Sequence, residues 1–176
     1  MTGRSKFSSP AAKIALVGMA AATIECAKLA LAALPNIEVV TLLVALYGYV
    51  FGGLGVCAAV VFVCVEPLIY GFGSWVILYF IYWPALALLF MLLGKLRVKS
   101  RWVLTGVAVV MTLIFGVLSA LVEVGLFSGS FDNFFYRFAV YYARGIVFYA
   151  LQLATNAVVF PLLFNPLCHS LEKIKK

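Results

Sequence analysis

Charged side chains set into otherwise apolar stretches are where this chain could do chemistry. Glu25 and Lys28 interrupt the first apolar run, Glu66 closes the third, Glu123 lies near the end of the fifth, and Arg144 lies inside the sixth. Glu38, Asp132 and Arg137 fringe the same runs. An ionised group within a membrane costs about 2.5–3.5 kcal/mol on insertion scales, so each needs a partner or a task. Two readings stay open. In one the charges pair: Glu25 and Lys28 are three residues apart on one helix face, and Glu123 neutralises Arg144 between adjacent helices. In the other they line a polar cup that binds a small solute.

Aromatic residues crowd the same stretches. Tyr70, Phe72, Trp75, Tyr79, Tyr82 and Trp83 surround one loop and the span after it; Phe134, Phe135, Tyr136, Tyr141 and Tyr142 open the last span. Trp75, Phe134 and Phe135 suit an interfacial belt. Tyr79, Tyr82 and Trp83 lie deeper, where they could stack on a planar heterocycle.

The elements that must hold these residues follow from hydropathy. Of 176 residues, 66% are hydrophobic and 11% charged, against about 45–50% and about 25% for soluble domains. Lipid must therefore be part of the solvent. The apolar runs fall at 12–34, 39–52, 54–70, 75–94, 102–126 and 136–168, a single membrane domain. The run preceded by the basic N-terminus is expected to stay as a first span, because Glu25 and Lys28 interrupt it and no cleavage signal follows.

Parity decides the uncertain stretch 39–65. Arg4, Lys6 and Lys13 precede the first span, Lys95, Arg97, Lys99 and Arg101 share one short loop, and Lys173, Lys175 and Lys176 end the chain. Basic clusters belong to the cytoplasm, so an even number of crossings must separate the first two. Breaking the stretch at Gly52-Gly53 gives four. The sequence thus predicts an all-α integral membrane protein, a six-transmembrane-helix bundle with cytoplasmic N- and C-termini. The charges within its spans then lie toward the extracytoplasmic face. The net charge of +7 suits topology and anionic lipid, not nucleic acid.

Other chemistry is missing from the sequence. Cys26, Cys57, Cys64 and Cys168 form no CxxC pair, and His169 is the one histidine. There is no Walker A loop, no HExxH and no carboxylate group with metal-site spacing. Neither an enzyme nor a metal or cofactor is expected. Ala11, Ala15, Gly18 and Ala22, spaced four, three and four apart, share one helix face and would let a second helix approach closely, within the bundle or from another protein.

Three segments carry a likeness: Leu34-Pro35-Asn36-Ile37-Glu38-Val39-Val40-Thr41-Leu42-Leu43, the Gly52-Gly53 turn, and Glu66-Pro67-Leu68-Ile69-Tyr70-Gly71-Phe72-Gly73-Ser74-Trp75. With span number, topology and length, they make the chain resemble the substrate-binding S components of energy-coupling factor (ECF) transporters, in a subgroup whose members often lack an assigned substrate. The resemblance implies capture of a vitamin or related micronutrient near the outer surface of a prokaryotic plasma membrane. It also implies association with a transmembrane coupling protein and two ATPases, with Ala11, Ala15, Gly18 and Ala22 as the docking stripe. The metal-specific members need an N-terminal histidine arrangement that this chain lacks.

The substrate-binding candidates are Glu25, Lys28, Asn36, Glu38, Glu66, Tyr70, Trp75, Tyr79, Tyr82, Trp83, Glu123, Arg137, Tyr141 and Arg144. Their mix suits a ring-bearing vitamin with polar or acidic groups, such as cobalamin, a pyridoxine-type vitamin or a pyrimidine, with Lys28, Arg137 and Arg144 as anion partners. The competing functions are a structural or assembly protein and a self-sufficient secondary transporter.

Overall fold

In the computed structural model, residues 7, 9–34, 37–127, 129 and 131–175 are described. Their regular structure is helical throughout: α1 Pro10–Ala30, α2 Val40–Phe51, α3 Gly53–Tyr70, α4 Trp75–Lys95, α5 Arg101–Val122 and α6 Phe134–Lys175. A π-helical turn, Glu123–Phe127, extends α5. Five of the helical segments are long and apolar enough to cross a membrane, and α2 is a shorter apolar helix. These features fit a multi-pass membrane protein.

Local chemistry sets the boundaries. Ser9 caps α1 by accepting a hydrogen bond from the Ala12 N–H at 3.2 Å, and Pro10 takes the first helical position, where its missing N–H costs nothing. The break between α2 and α3 is one residue wide. Gly52 sits at φ +61°, a conformation that favours glycine. Gly55 then passes so close to the Tyr47 carbonyl that a Cβ there would overlap it. The predicted split at this glycine pair is the observed one.

Two predicted ends move. The sequence predicts a first span to 34, but α1 stops at Ala30, and turn hydrogen bonds such as Leu34 N–H to Leu31 O (2.8 Å) carry the chain away. The sequence predicts a last span at 136–168, whereas α6 runs for 42 residues. Hydropathy falls after Cys168, but Leu171-Glu172-Lys173-Ile174-Lys175 contains no helix breaker. At 1.5 Å per residue α6 is about 63 Å long, roughly twice a bilayer core.

α2 is the hub. Ten of its twelve residues are buried, and it packs on α1, α3, α4 and α6. Being apolar all round, it needs protein on every side. Glycines bring α4 against it: a Cβ at Gly48 would strike the Ala87 carbonyl, and one at Gly94 would strike that of Tyr49. At about 18 Å, α2 is too short to span the membrane alone. Its shortfall leaves a space at its N-terminal end.

Contacts between distant segments fix how the ends sort. The Phe7 and Phe51 rings meet at 5.8 Å, the Tyr49 hydroxyl donates to Val98 O at 2.8 Å, and Lys175 Nζ donates to Val50 O at 2.6 Å. Phe7, the α2–α3 turn, the 95–101 loop and the end of α6 therefore share one end of the bundle. Lys28, Glu38 and Glu66 lie toward the other.

Candidate functional site

A cavity of about 220 Å³ opens at the head of α2. Lys28 and Leu31 from the end of α1, Glu38 before α2, Phe62 of α3, Tyr79 and Trp83 of α4, Phe115 of α5 and Gln152 of α6 contribute to its wall. Each of the six α-helices contributes to the lining, α2 through Val40.

Two polar clusters support the wall. In the first, Lys28 forms an ion pair with Glu66, which is 1% exposed. The Lys28 ammonium also lies 4.3 Å from the centre of the Tyr70 ring and 5.5 Å from that of Tyr79, within cation–π range. Glu25 is buried within electrostatic reach of Glu66 and Lys28. The Glu25 carboxyl interacts with the neighbouring Glu66 and Tyr70 side chains as well as with Lys28. In place of the pairing of Lys28 with Glu25 along one helix, one of the two readings open from the sequence, the structure has a bridge between α1 and α3.

The second cluster is centred on Glu38. Its carboxylate accepts from the Thr41 N–H (2.9 Å), the Thr41 hydroxyl (2.5 Å), Gln152 Nε2 (3.3 Å) and Asn156 Nδ2 (3.3 Å). Asn156 also donates to the Thr112 hydroxyl at 3.0 Å. One carboxylate thus joins the start of α2 to the middle of α6. It also satisfies an N–H at the first turn of α2, which would otherwise lack an acceptor.

The aromatic wall comes from a ladder on α4. Trp75, Tyr79 and Trp83 are spaced four apart, with ring centres 5.1 and 5.6 Å apart in edge-to-face contact. Tyr79 and Trp83 reach the cavity; Trp75 does not. Tyr82 is fully buried, edge-on to Phe115 at 4.9 Å. The buried Trp83 Nε1–H has no acceptor among the described residues.

The predicted residues therefore do not form one cup. Lys28, Glu38, Tyr79 and Trp83 line the cavity, with Glu25, Glu66 and Tyr70 behind Lys28. Glu123, Arg137, Tyr141 and Arg144 line a separate surface cleft between the π-helical turn and α6. No ion pair joins Glu123 to Arg144 among the described residues. Trp75 instead shares a small hollow with Glu123 and Tyr141. Asn36 lies outside the described residues. Gln152, Asn156, Thr41, Thr112, Phe62 and Phe115 were not anticipated. Gln152 and Asn156, four apart in an apolar run and both buried, were a readable signal for a polar face turned inward.

The α1 stripe points outward. Ala11, Ala15, Gly18 and Ala22 are all exposed, and a Cβ at Gly18 would meet nothing within 4 Å. Fold and site together define a helical membrane bundle with a polar, aromatic-walled cavity at one end. Comparison with family models, curated proteins and solved structures finds no match to this chain.

Proposed function

We propose that this chain is the solute-capturing subunit of an uptake system in a prokaryotic plasma membrane, of the kind represented by the S components of ECF transporters. The observation that carries the reading is the cavity at the head of α2. Five helices deliver side chains to one space, and that space is rimmed by Lys28, Glu38, Tyr79, Trp83 and Gln152 inside an otherwise apolar bundle. A network serving only helix pairing has no need to enclose a void; a binding site does.

In this reading the termini and the 95–101 loop face the cytoplasm, following their lysines and arginines, and the cavity opens outside. The chain binds a vitamin-like solute and performs no catalysis. Energy comes from a transmembrane coupling protein and two ATPases. The outward row Ala11, Ala15, Gly18 and Ala22 is the surface on which a partner helix could come close.

The test is to purify the protein from cells grown in rich medium and to identify co-purifying small molecules by mass spectrometry. A stoichiometric small solute, lost on mutating Trp83 to Ala, is the expected outcome. A protein that carries nothing, and whose melting temperature no vitamin raises, would overturn the proposal.

A further inference from the structure

Charge balance around the cavity points to a class of ligand. Three carboxyl groups, Glu25, Glu38 and Glu66, gather at this end of the bundle with one ammonium, Lys28. That ammonium is already committed: Glu66 pairs with it, and the Tyr70 and Tyr79 rings flank it. Arg137 and Arg144, expected as anion partners, line a different cleft. Glu38 is held by uncharged donors from Thr41, Gln152 and Asn156, and no cation pairs with it among the described residues.

We infer that the cavity takes a compact organic cation, a single-ring or similarly sized molecule whose positive group faces Glu38 and whose body lies among Tyr79, Trp83, Phe62 and Phe115. This inference rests on the reading of the cavity as a solute site and narrows it. An acidic ligand would meet uncompensated negative charge, and like charges repel. A cation would supply the missing counter-charge and meet the negative faces of aromatic rings. Inorganic ions suit the wall less well. Hard cations take six or more oxygen ligands, whereas much of this wall is aromatic, and no group of three His, Cys, Asp or Glu poised for a metal occurs among the described residues. The inference does not depend on whether Glu25 carries a proton. With Glu25 neutral, the Lys28–Glu66 pair still cancels and Glu38 still leaves one negative charge.

The test uses three probes of nearly one shape: benzamidinium, benzamide and benzoate, titrated into the full-length protein in lipid nanodiscs and read by calorimetry and tryptophan fluorescence. Benzamidinium is expected to bind about tenfold or more tighter than benzamide, with benzoate weakest. Glu38→Gln, which keeps an oxygen for Thr41, is expected to bring benzamidinium and benzamide within about twofold of each other. Benzoate or benzamide binding as tightly as benzamidinium to the native chain would overturn the cation assignment and leave the solute-site reading standing. If the native chain binds none of the three and the mass spectrometry experiment finds no solute, the solute-site reading falls and the assignment with it. Should Glu38→Gln fail to fold, the order of the three probes on the native chain decides alone.

Discussion

Lys28 holds a place that few other residues could take. Its ammonium bridges α1 to α3 through Glu66, and its flanks are covered by Tyr70 and Tyr79. Removing it would leave Glu66 and Glu25 as buried neighbours with no positive charge between them. Losing one partner of a buried pair costs about 3–5 kcal/mol, mostly because the other charge is stranded. Lys28→Met should therefore lower stability by about 3 kcal/mol, read as a fall in the detergent melting temperature. Adding Glu66→Gln should recover at least half of that fall; a K28M protein that melts like the native one would refute this account of the pair. The sequence made Lys28, Glu25 and Glu66 visible, since charges in apolar runs stand out. It could not say that Lys28 would choose a partner 38 positions away over one three positions away. That choice depends on how closely α1 and α3 approach, which spacing along one helix does not encode. Gln152 and Asn156 are less legible for a different reason. Uncharged amides are cheaper to bury than ions, so they leave a fainter mark in a hydropathy profile.

Among the elements, α2 carries the most constraint, because its close contacts are made through backbone. Gly48 lies on the Ala87 carbonyl, and a methyl group there cannot be relieved by turning a side chain. Gly48→Ala should cost about 1–3 kcal/mol, the usual range for overpacking a dense interior. Gly18→Ala, on the outward face of α1 with nothing within 4 Å, should leave the melting temperature of the isolated protein unchanged. Equal effects of the two substitutions would show that α2 and α4 are not packed through these glycines. This element was legible because glycine marked its end and parity demanded a break, so a short span at 39–52 could be predicted against the usual length, and the observed helix is shorter still at 12 residues. The reach of α6 was not legible. Its apolar run ends near Cys168, but helix continues wherever propensity and hydrogen bonding permit, whether or not the residues face lipid. Its inward face is nevertheless regular: Gln152, Asn156, Phe160 and Phe164 are buried at intervals of four. The first two meet the polar cluster of Glu38, and the last two pack on Phe90 toward the other end.

For the whole molecule, the decisive property is that its two ends differ in charge. The end defined by Phe7, the Gly52 turn, the 95–101 loop and the close of α6 carries Lys95, Arg97, Lys99, Arg101, Lys173 and Lys175. The segments 31–34, 37–39 and 71–74 at the other end contain Glu38 and no lysine or arginine, and residues 131–137 there add Asp132 and a single arginine, Arg137. Lysine and arginine near span ends bias insertion so that they stay in the cytoplasm. The geometry already requires the 95–101 loop and the 71–74 loop to lie at opposite ends, since the 21 residues of α4 separate them. Which end faces outward is then a question for insertion, and the charge asymmetry is the basis on which the proposed function turns the cavity outward. In a background with the native cysteines replaced, Phe72→Cys should react with a membrane-impermeant maleimide in intact cells. Lys99→Cys should react only in inside-out vesicles. Labelling of both positions from one side would contradict the bundle itself. Reversed labelling would keep the bundle but turn the cavity toward the cytoplasm, where capture of an external solute is physically excluded.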